Sequence, residues 1–118
     1  MDIDSITNLT YREKKMFVSR ACLMYKKIKN SKNLLEAKIK HAHILNDSNL
    51  ANEMLNLKTM SLFDTILSLL NKDLLLIIEQ DFIDINKDPR WYLRHWSKTT
   101  YYKLKHEAIN QFLFMFYA

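Results

Sequence analysis

The polar side of the chain's last predicted helix carries side chains that could contact a nucleic acid. At about 100° per residue around an α-helix, five residues fall on or beside one face: Thr99, Tyr102, Lys103, His106 and Asn110. Their hydroxyl, ammonium, imidazole and amide groups are those that hydrogen-bond to phosphates and base edges. Any capped amphipathic helix in a bundle also has a polar side, so a wet face of a core helix is the competing interpretation.

The start of this helix and the residues before it add groups that suit phosphate. In the first turn of a helix the backbone N–H groups are free and the dipole favours an anion. Arg90 and Arg94 are four residues apart, which would place both guanidinium groups on one face of a preceding short helix. We expect the residues of the first turn to help position a phosphate: Ser97, Lys98, Thr99 and Thr100.

Local start signals predict how these residues are held. Asp88 is the expected N-cap of the short helix and Pro89 its first residue, where a missing N–H costs nothing. Ser97 is the expected N-cap of the last helix, which then runs to the end of the sequence without a breaker. The outline over residues 73–118 is therefore that of a helix-turn-helix, although the usual turn glycine is absent.

Apolar periodicity predicts the other helices and the inner side of the last one. Spacings of three and four indicate helices over about 8–30, 34–45, 49–70 and 74–83. A strand is the alternative for LLLII within the last range, but no turn residue or partner strand supports it. The final helix should face the bundle with Tyr101, Leu104, Ala108, Phe112 and Met115, and with Lys105 at the border.

Composition favours an all-α protein. The 118 residues suffice for one domain with a real core, and 48% of them are hydrophobic. There is no glycine and only one proline, whereas tight hairpins usually need residues at ease with positive φ. We therefore predict a single helical domain over residues 1–118, a small bundle of five to six helices.

The sequence carries no sign of secretion or membrane insertion. The one cysteine, Cys22, allows no internal disulfide, fits a reducing compartment and is expected to be a small buried residue. No apolar run reaches about 18 residues, the length that indicates a membrane span. The start MDIDSITNLT lacks the basic region of a signal peptide. A cytoplasmic protein is the resulting prediction.

Charge is unevenly distributed along the chain. Residues 12–40 carry ten Lys or Arg against two Glu, and residues 87–118 carry six against two. Between them, residues 47–86 carry two Lys against seven Asp or Glu. Basic segments are the electrostatic footprint of a nucleic-acid partner, but lysine-rich solvated helix faces are also common without one.

Enzymatic and metal chemistry find little support. His41 and His43 would lie about 200° apart on a helix and could not share a metal there. Glu79, Asp81 and Asp84 could gather at a divalent ion, but they follow no binding-loop spacing. A phosphate loop needs glycine. We predict no catalytic residue, no cofactor and no metal.

The stretch from about Leu74 to Phe116 resembles the C-terminal part of small phage regulators of late transcription, the ArpU type. More distantly, it resembles region four of primary sigma factors. The most specific match is SKTTYYKLKHEAINQFL, from Ser97 to Leu113. The resemblance implies sequence-specific DNA binding, with Lys98, Thr99, Tyr102 and Lys103 facing the major groove. It departs from the family at WYLRHW, where two tryptophans and a tyrosine replace a small core pair.

The expected function is therefore a DNA-binding transcriptional regulator without enzymatic activity. Its expected partner is double-stranded DNA, with RNA polymerase or another protein, or a second copy of the chain, as further partners. One alternative is a helical protein–protein interaction module that keeps the outline of the motif without binding DNA. Another is an RNA-binding protein, which would stack unpaired bases on exposed aromatic rings such as Trp91, Tyr92 and Trp96.

Overall fold

A computed structural model describes residues 7–30 and 50–117, with the side chains of the second range from residue 58 onward. These residues form four α-helices: α1 (Tyr11–Asn30), α2 (Leu50–Leu69), α3 (Lys72–Ile78) and α4 (Lys98–Tyr117). No strand occurs within the two described ranges, so the all-α class is confirmed there. The helix predicted over 34–45, with His41 and His43, lies outside them.

Helix α1 begins three residues later than the sequence pattern suggested, at a reciprocal cap. The Glu13 N–H donates to the Thr10 hydroxyl oxygen at 3.2 Å, and the Thr10 N–H donates to the Glu13 carboxylate at 3.2 Å. This is a capping box, in which two otherwise unpaired N–H groups are satisfied together. It ends the preceding coil at Thr10 and fixes the orientation of the first turn.

Helix α3 is helical as predicted, but it finishes in a wider turn. The Leu74 N–H donates to the Asn71 side chain at 2.9 Å, which caps its start. From Glu79 to Ile83 the chain forms a π-helical turn, closed by the Asp84 N–H on the Glu79 carbonyl at 2.8 Å. Because a π turn holds about one more residue than an α turn, Ile78 and Ile83 are both buried although they lie five residues apart.

The prediction of a short α-helix starting at Pro89 is wrong. The chain forms one 3-10 turn, Trp91–Arg94, after Asp88 accepts the Arg90 N–H at 2.9 Å. Trp91 and Tyr92 are both buried, and Tyr92 stacks on Tyr101 with ring centroids 3.8 Å apart. Two consecutive aromatic rings both face the core within this single turn. The predicted helix-turn-helix outline is therefore not confirmed by these elements.

Helix α4 lies at the centre of the bundle, and the other three α-helices pack against it. Its N-cap is Ser97 as predicted, because the Thr100 N–H donates to the Ser97 hydroxyl at 3.3 Å. Ala108, Ile109 and Phe112 are fully buried on its inner side.

Candidate nucleic-acid interface

The beginning of α4 presents a polar patch to solvent. Lys98, Thr99, Tyr102 and Lys103 are all exposed, and 44% of the Tyr102 surface is accessible. Two of these groups are ammonium ions, and the other two are hydroxyls that can donate or accept a hydrogen bond. The four residues, named here the α4 patch, lie within two turns of one helix.

The hydroxyls of Ser97 and Thr100, at the start of α4, take part in hydrogen bonds within the protein. The Ser97 hydroxyl accepts the Thr100 N–H and donates to the Thr100 hydroxyl oxygen at 3.0 Å. Ser97 and Thr100 are exposed but bonded to each other, so they fix the start of the helix. Their contribution to a phosphate contact would come through the helix start that they define.

The more C-terminal residues of the same side are shared with α1. The His106 ring stacks on Tyr11 with centroids 3.8 Å apart and planes inclined by 18°. One turn further, the Lys14 ammonium donates to the Asn110 side-chain oxygen at 2.9 Å. The predicted nucleic-acid residue His106 thus has one ring face covered by α1. Sequence periodicity could not indicate this contact, because it joins residues almost a hundred positions apart.

The two arginines before α4 are exposed but are not aligned by a helix. Arg90 precedes the 3-10 turn, and Arg94 ends it. A 3-10 helix has about three residues per turn, so a spacing of four no longer brings two side chains onto one face. Arg94 instead lines an open polar cavity of about 250 Å³ together with His95, Gln80 and Asp88.

A buried polar cluster anchors the α4 patch from below. Asp81 accepts a hydrogen bond from the Trp91 indole N–H at 2.9 Å and another from the Tyr101 hydroxyl. Its carboxylate also lies 3.2 Å from the Lys105 ammonium, which in turn donates to the Tyr101 oxygen at 3.2 Å. Asp81 belongs to the π turn, Trp91 to the 3-10 turn, and Tyr101 and Lys105 to α4. One carboxylate therefore ties these three elements together.

The cluster is built for structure, not for proton transfer. Burial chiefly, and then the hydrogen bond to Asp81, raise the pKa of Tyr101 above its usual value. An acid–base tyrosine needs a pKa brought towards neutrality and access to a substrate. Tyr101 is buried and stays protonated, so its pairing with Lys105 positions the helix.

Metal-binding and nucleophilic groups are not assembled in the part of the chain that the structure describes. There, no three His, Cys, Asp or Glu side chains gather as ligands, and Asp81 is committed to its three donors. Cys22 is buried as predicted, and burial raises the pKa of its thiol to about 12. Among the described helices, none combines the length and the apolar character that crossing a bilayer would require.

Comparison with known proteins adds no further constraint. No protein-family model, no curated protein and no solved structure matches this chain. The described features are thus an all-helical bundle, an exposed patch with two lysines, and a buried anchor beneath it. Sequence reasoning missed the anchor because Lys105 lies at the border of the apolar stripe, and nothing local pairs it with Asp81.

Proposed function

We propose that the protein binds double-stranded DNA through the α4 patch and acts as a transcriptional regulator. The observation that carries this proposal is the contrast between the two sides of the first turns of α4. One side is open to solvent and carries Thr99, Tyr102 and Lys103, and Lys98 is exposed at the first residue of the helix. The other is fixed by Tyr101 and Lys105 on Asp81. A rigid support beneath an exposed set of donors and acceptors is what base reading requires.

Each group of the α4 patch has a distinct role in this proposal. Lys98 and Lys103 neutralise phosphates, while Thr99 and Tyr102 reach the edges of bases in the major groove. In this proposal α4 is the reading helix, and the 3-10 turn Trp91–Arg94 lies directly before it. Arg90 and Arg94, both exposed, contact phosphates beside the groove, and Ser97 and Thr100 set the helix start that approaches them.

The sequence adds two supporting observations. Residues 87–118 carry six Lys or Arg against two acids, and all six except the buried Lys105 are exposed, the sign expected beside a phosphate backbone. The resemblance of SKTTYYKLKHEAINQFL to ArpU-type regulators and to sigma-factor region four points to the same helix. A regulator of this kind would have RNA polymerase as a further partner. No catalytic step or cofactor enters the proposal.

Aromatic burial favours duplex DNA over single-stranded RNA. A stacking platform needs exposed rings, because unpaired bases bind to their faces. Trp91 and Tyr92 are buried and Trp96 is half-buried. Tyr102 is the exposed ring of the α4 patch, and one ring suits a base-edge or phosphate contact better than a platform.

Titration of a fluorescently labelled mixed-sequence duplex, followed by anisotropy at several salt concentrations, tests the proposal. Each lysine that neutralises a phosphate contributes about 0.9 to the slope of log K against log salt. We expect Lys98→Ala/Lys103→Ala to lower that slope by nearly two and to weaken binding. The matched control, Lys58→Ala/Lys72→Ala, removes two exposed lysines from α2 and α3 and should leave most of the affinity. Absence of binding at low salt, or equal losses in both variants, would overturn the proposal.

A helical interaction module is the second candidate, and the exposed end of α4 favours it. Phe114 is 54% exposed and borders an open apolar depression with Asn110, Gln111 and Met115. Such a ring suits contact with a second copy of the chain or another protein. Sedimentation of the wild type beside Phe114→Ser distinguishes the cases. A wild-type dimer that Phe114→Ser dissociates, in a protein that does not bind DNA, would favour the interaction module.

A further inference from the structure

We infer that α1 forms the second half of the DNA-binding surface, with Lys14 as its phosphate contact. This inference rests on the proposed function and extends it to a helix that the sequence motif does not include. Its starting point is the bond from the Lys14 ammonium to Asn110 at 2.9 Å. Asn110 lies seven residues, or two turns, after Lys103, so both are on the same side of α4. The bond therefore places a second ammonium group on the side of α4 that carries Lys103.

The start of α1 is held firmly beside α4. The capping box of Thr10 and Glu13 fixes the first turn, and Tyr11 stacks on His106 at 3.8 Å. Burial chiefly, then the nearness of Asp81 and of Tyr102, raise the pKa of Tyr11. Tyr11 is half-buried against the core and stacks on His106 of α4. Lys14 lies one turn further along α1, so its position relative to α4 is fixed as well.

The bond to Asn110 positions Lys14 without neutralising it. An ammonium group has three donors, and a side-chain amide oxygen is an uncharged acceptor. The contact with Asn110 uses one donor, so the charge and further N–H groups remain for a phosphate oxygen. A carboxylate partner in the same place would have cancelled the charge. His106, in turn, acts as a positioning residue that seats Tyr11, and it does not read a base.

Adjacent lysines on α1 provide a matched test of this surface. Lys15 follows Lys14, is exposed, and points about 100° away around the helix. The two residues have the same charge and are adjacent in the sequence, but Lys14 is half-buried and bonds to α4. A comparison of Lys14→Ala with Lys15→Ala therefore distinguishes the effect of a lysine's position from the effect of losing one positive charge. Lys14→Gln removes the charge while keeping a donor near Asn110.

The experiment measures duplex binding of the full chain against salt for these variants and for Lys98→Ala/Lys103→Ala. We expect Lys14→Ala and Lys14→Gln to lower the slope of log K against log salt by about 0.9 and to weaken binding several-fold. Lys15→Ala should have less than half this effect. Thermal unfolding of each variant shows that it is folded.

The outcomes separate this inference from the proposed function. If Lys98→Ala/Lys103→Ala weakens binding but Lys14→Ala matches Lys15→Ala, α1 is not part of the surface and the proposed function stands. Loss of slope in Lys14→Ala together with little change in Lys15→Ala supports the two-helix surface. A wild-type protein that does not bind duplex DNA at low salt overturns both.

Discussion

Asp81 and Lys105 form an ion pair of 3.2 Å directly beneath the exposed start of α4. Both side chains are almost fully buried, at 14% and 10% exposure. Buried charges are tolerated when they are paired and hydrogen-bonded, and here Trp91 and Tyr101 supply the further donors to Asp81. The pair therefore ties the first turns of α4 to the π turn, and with them the α4 patch.

Removal of Asp81 should destabilise the fold more than removal of Lys105. Asp81→Ala leaves a buried ammonium without its counter-ion, and breaking such a pair typically costs about 3–5 kcal/mol. Lys105→Met leaves the carboxylate with its Trp91 and Tyr101 donors and replaces an aliphatic stem of similar length. Urea denaturation gives both free energies of unfolding. A cost below about 1 kcal/mol for Asp81→Ala would show that the cluster is not essential to stability.

Local rules predicted the parts of the fold that neighbouring residues decide. Ser97 caps α4 as expected because the interaction lies within three residues. The helical state of LLLII was predicted from the absence of turn residues and partner strands. The cap at Thr10 could also have been found, because its T-x-x-E pattern stands in the sequence.

Long-range contacts decided the parts that were missed. The short element is a single 3-10 turn, in which the rings of both Trp91 and Tyr92 pack on Tyr101. Lys105 is buried because Asp81 meets it from a π turn, and no spacing within α4 indicates that partner. The contact between α1 and the polar side of α4 likewise depends on how distant helices assemble.

The cap of α1 should contribute measurably to stability. Thr10→Ala removes the side-chain acceptor of the Glu13 N–H, and loss of such a cap costs about 1 kcal/mol. Thr99→Ala, at an exposed position of the α4 patch, should stay within about 0.5 kcal/mol of the wild type. Thermal or urea unfolding measures both. Equal values for the two threonines would contradict the reciprocal cap.

Stability should fall in alkaline solution. Burial raises the pKa of the Cys22 thiol to about 12 from its usual 9.0, and it raises the pKa of Tyr25 and Tyr101 from their usual 10.0. Below about pH 8 these groups are protonated in both states, so their stabilisation is fully present. At higher pH the unfolded chain loses protons that the folded protein retains, and the free energy of unfolding decreases.

Tyr25→Phe provides the control for this pH dependence. The Tyr25 hydroxyl donates to Asp64 at 2.5 Å, and the substitution removes one titrating group. Above pH 10 we expect the free energy of unfolding to fall less steeply with pH in the variant than in the wild type. The two slopes should differ by up to about 1.4 kcal/mol per pH unit, the contribution of one titrating group. Urea unfolding between pH 8 and pH 11.5 gives the slopes. Identical slopes in the two proteins would contradict the protonated, buried state assigned to Tyr25.

Substitution of a base-contacting residue and of a phosphate-contacting residue of the α4 patch should affect DNA binding in different ways. Lys103→Ala should weaken all duplexes by a similar factor, because a phosphate contact carries no sequence information. Tyr102→Phe, which removes the hydroxyl alone, should reduce discrimination at one base position, where a good base contact is worth about 1–3 kcal/mol. Selection from a randomised duplex library compares the preferences of the variants. Unchanged preferences in Tyr102→Phe would mean that Tyr102 does not read a base.

The most direct measurement is the change in backbone amide NMR signals of the labelled full chain on addition of duplex DNA. DNA binding through α4 predicts that the largest changes lie between Ser97 and Lys103, with smaller ones at Arg90 and Arg94. Signals of α2, which carries none of the proposed DNA contacts, should move little. Changes concentrated on α2 or α3, or no change at low salt, would contradict the assignment of the α4 patch as a DNA-binding surface.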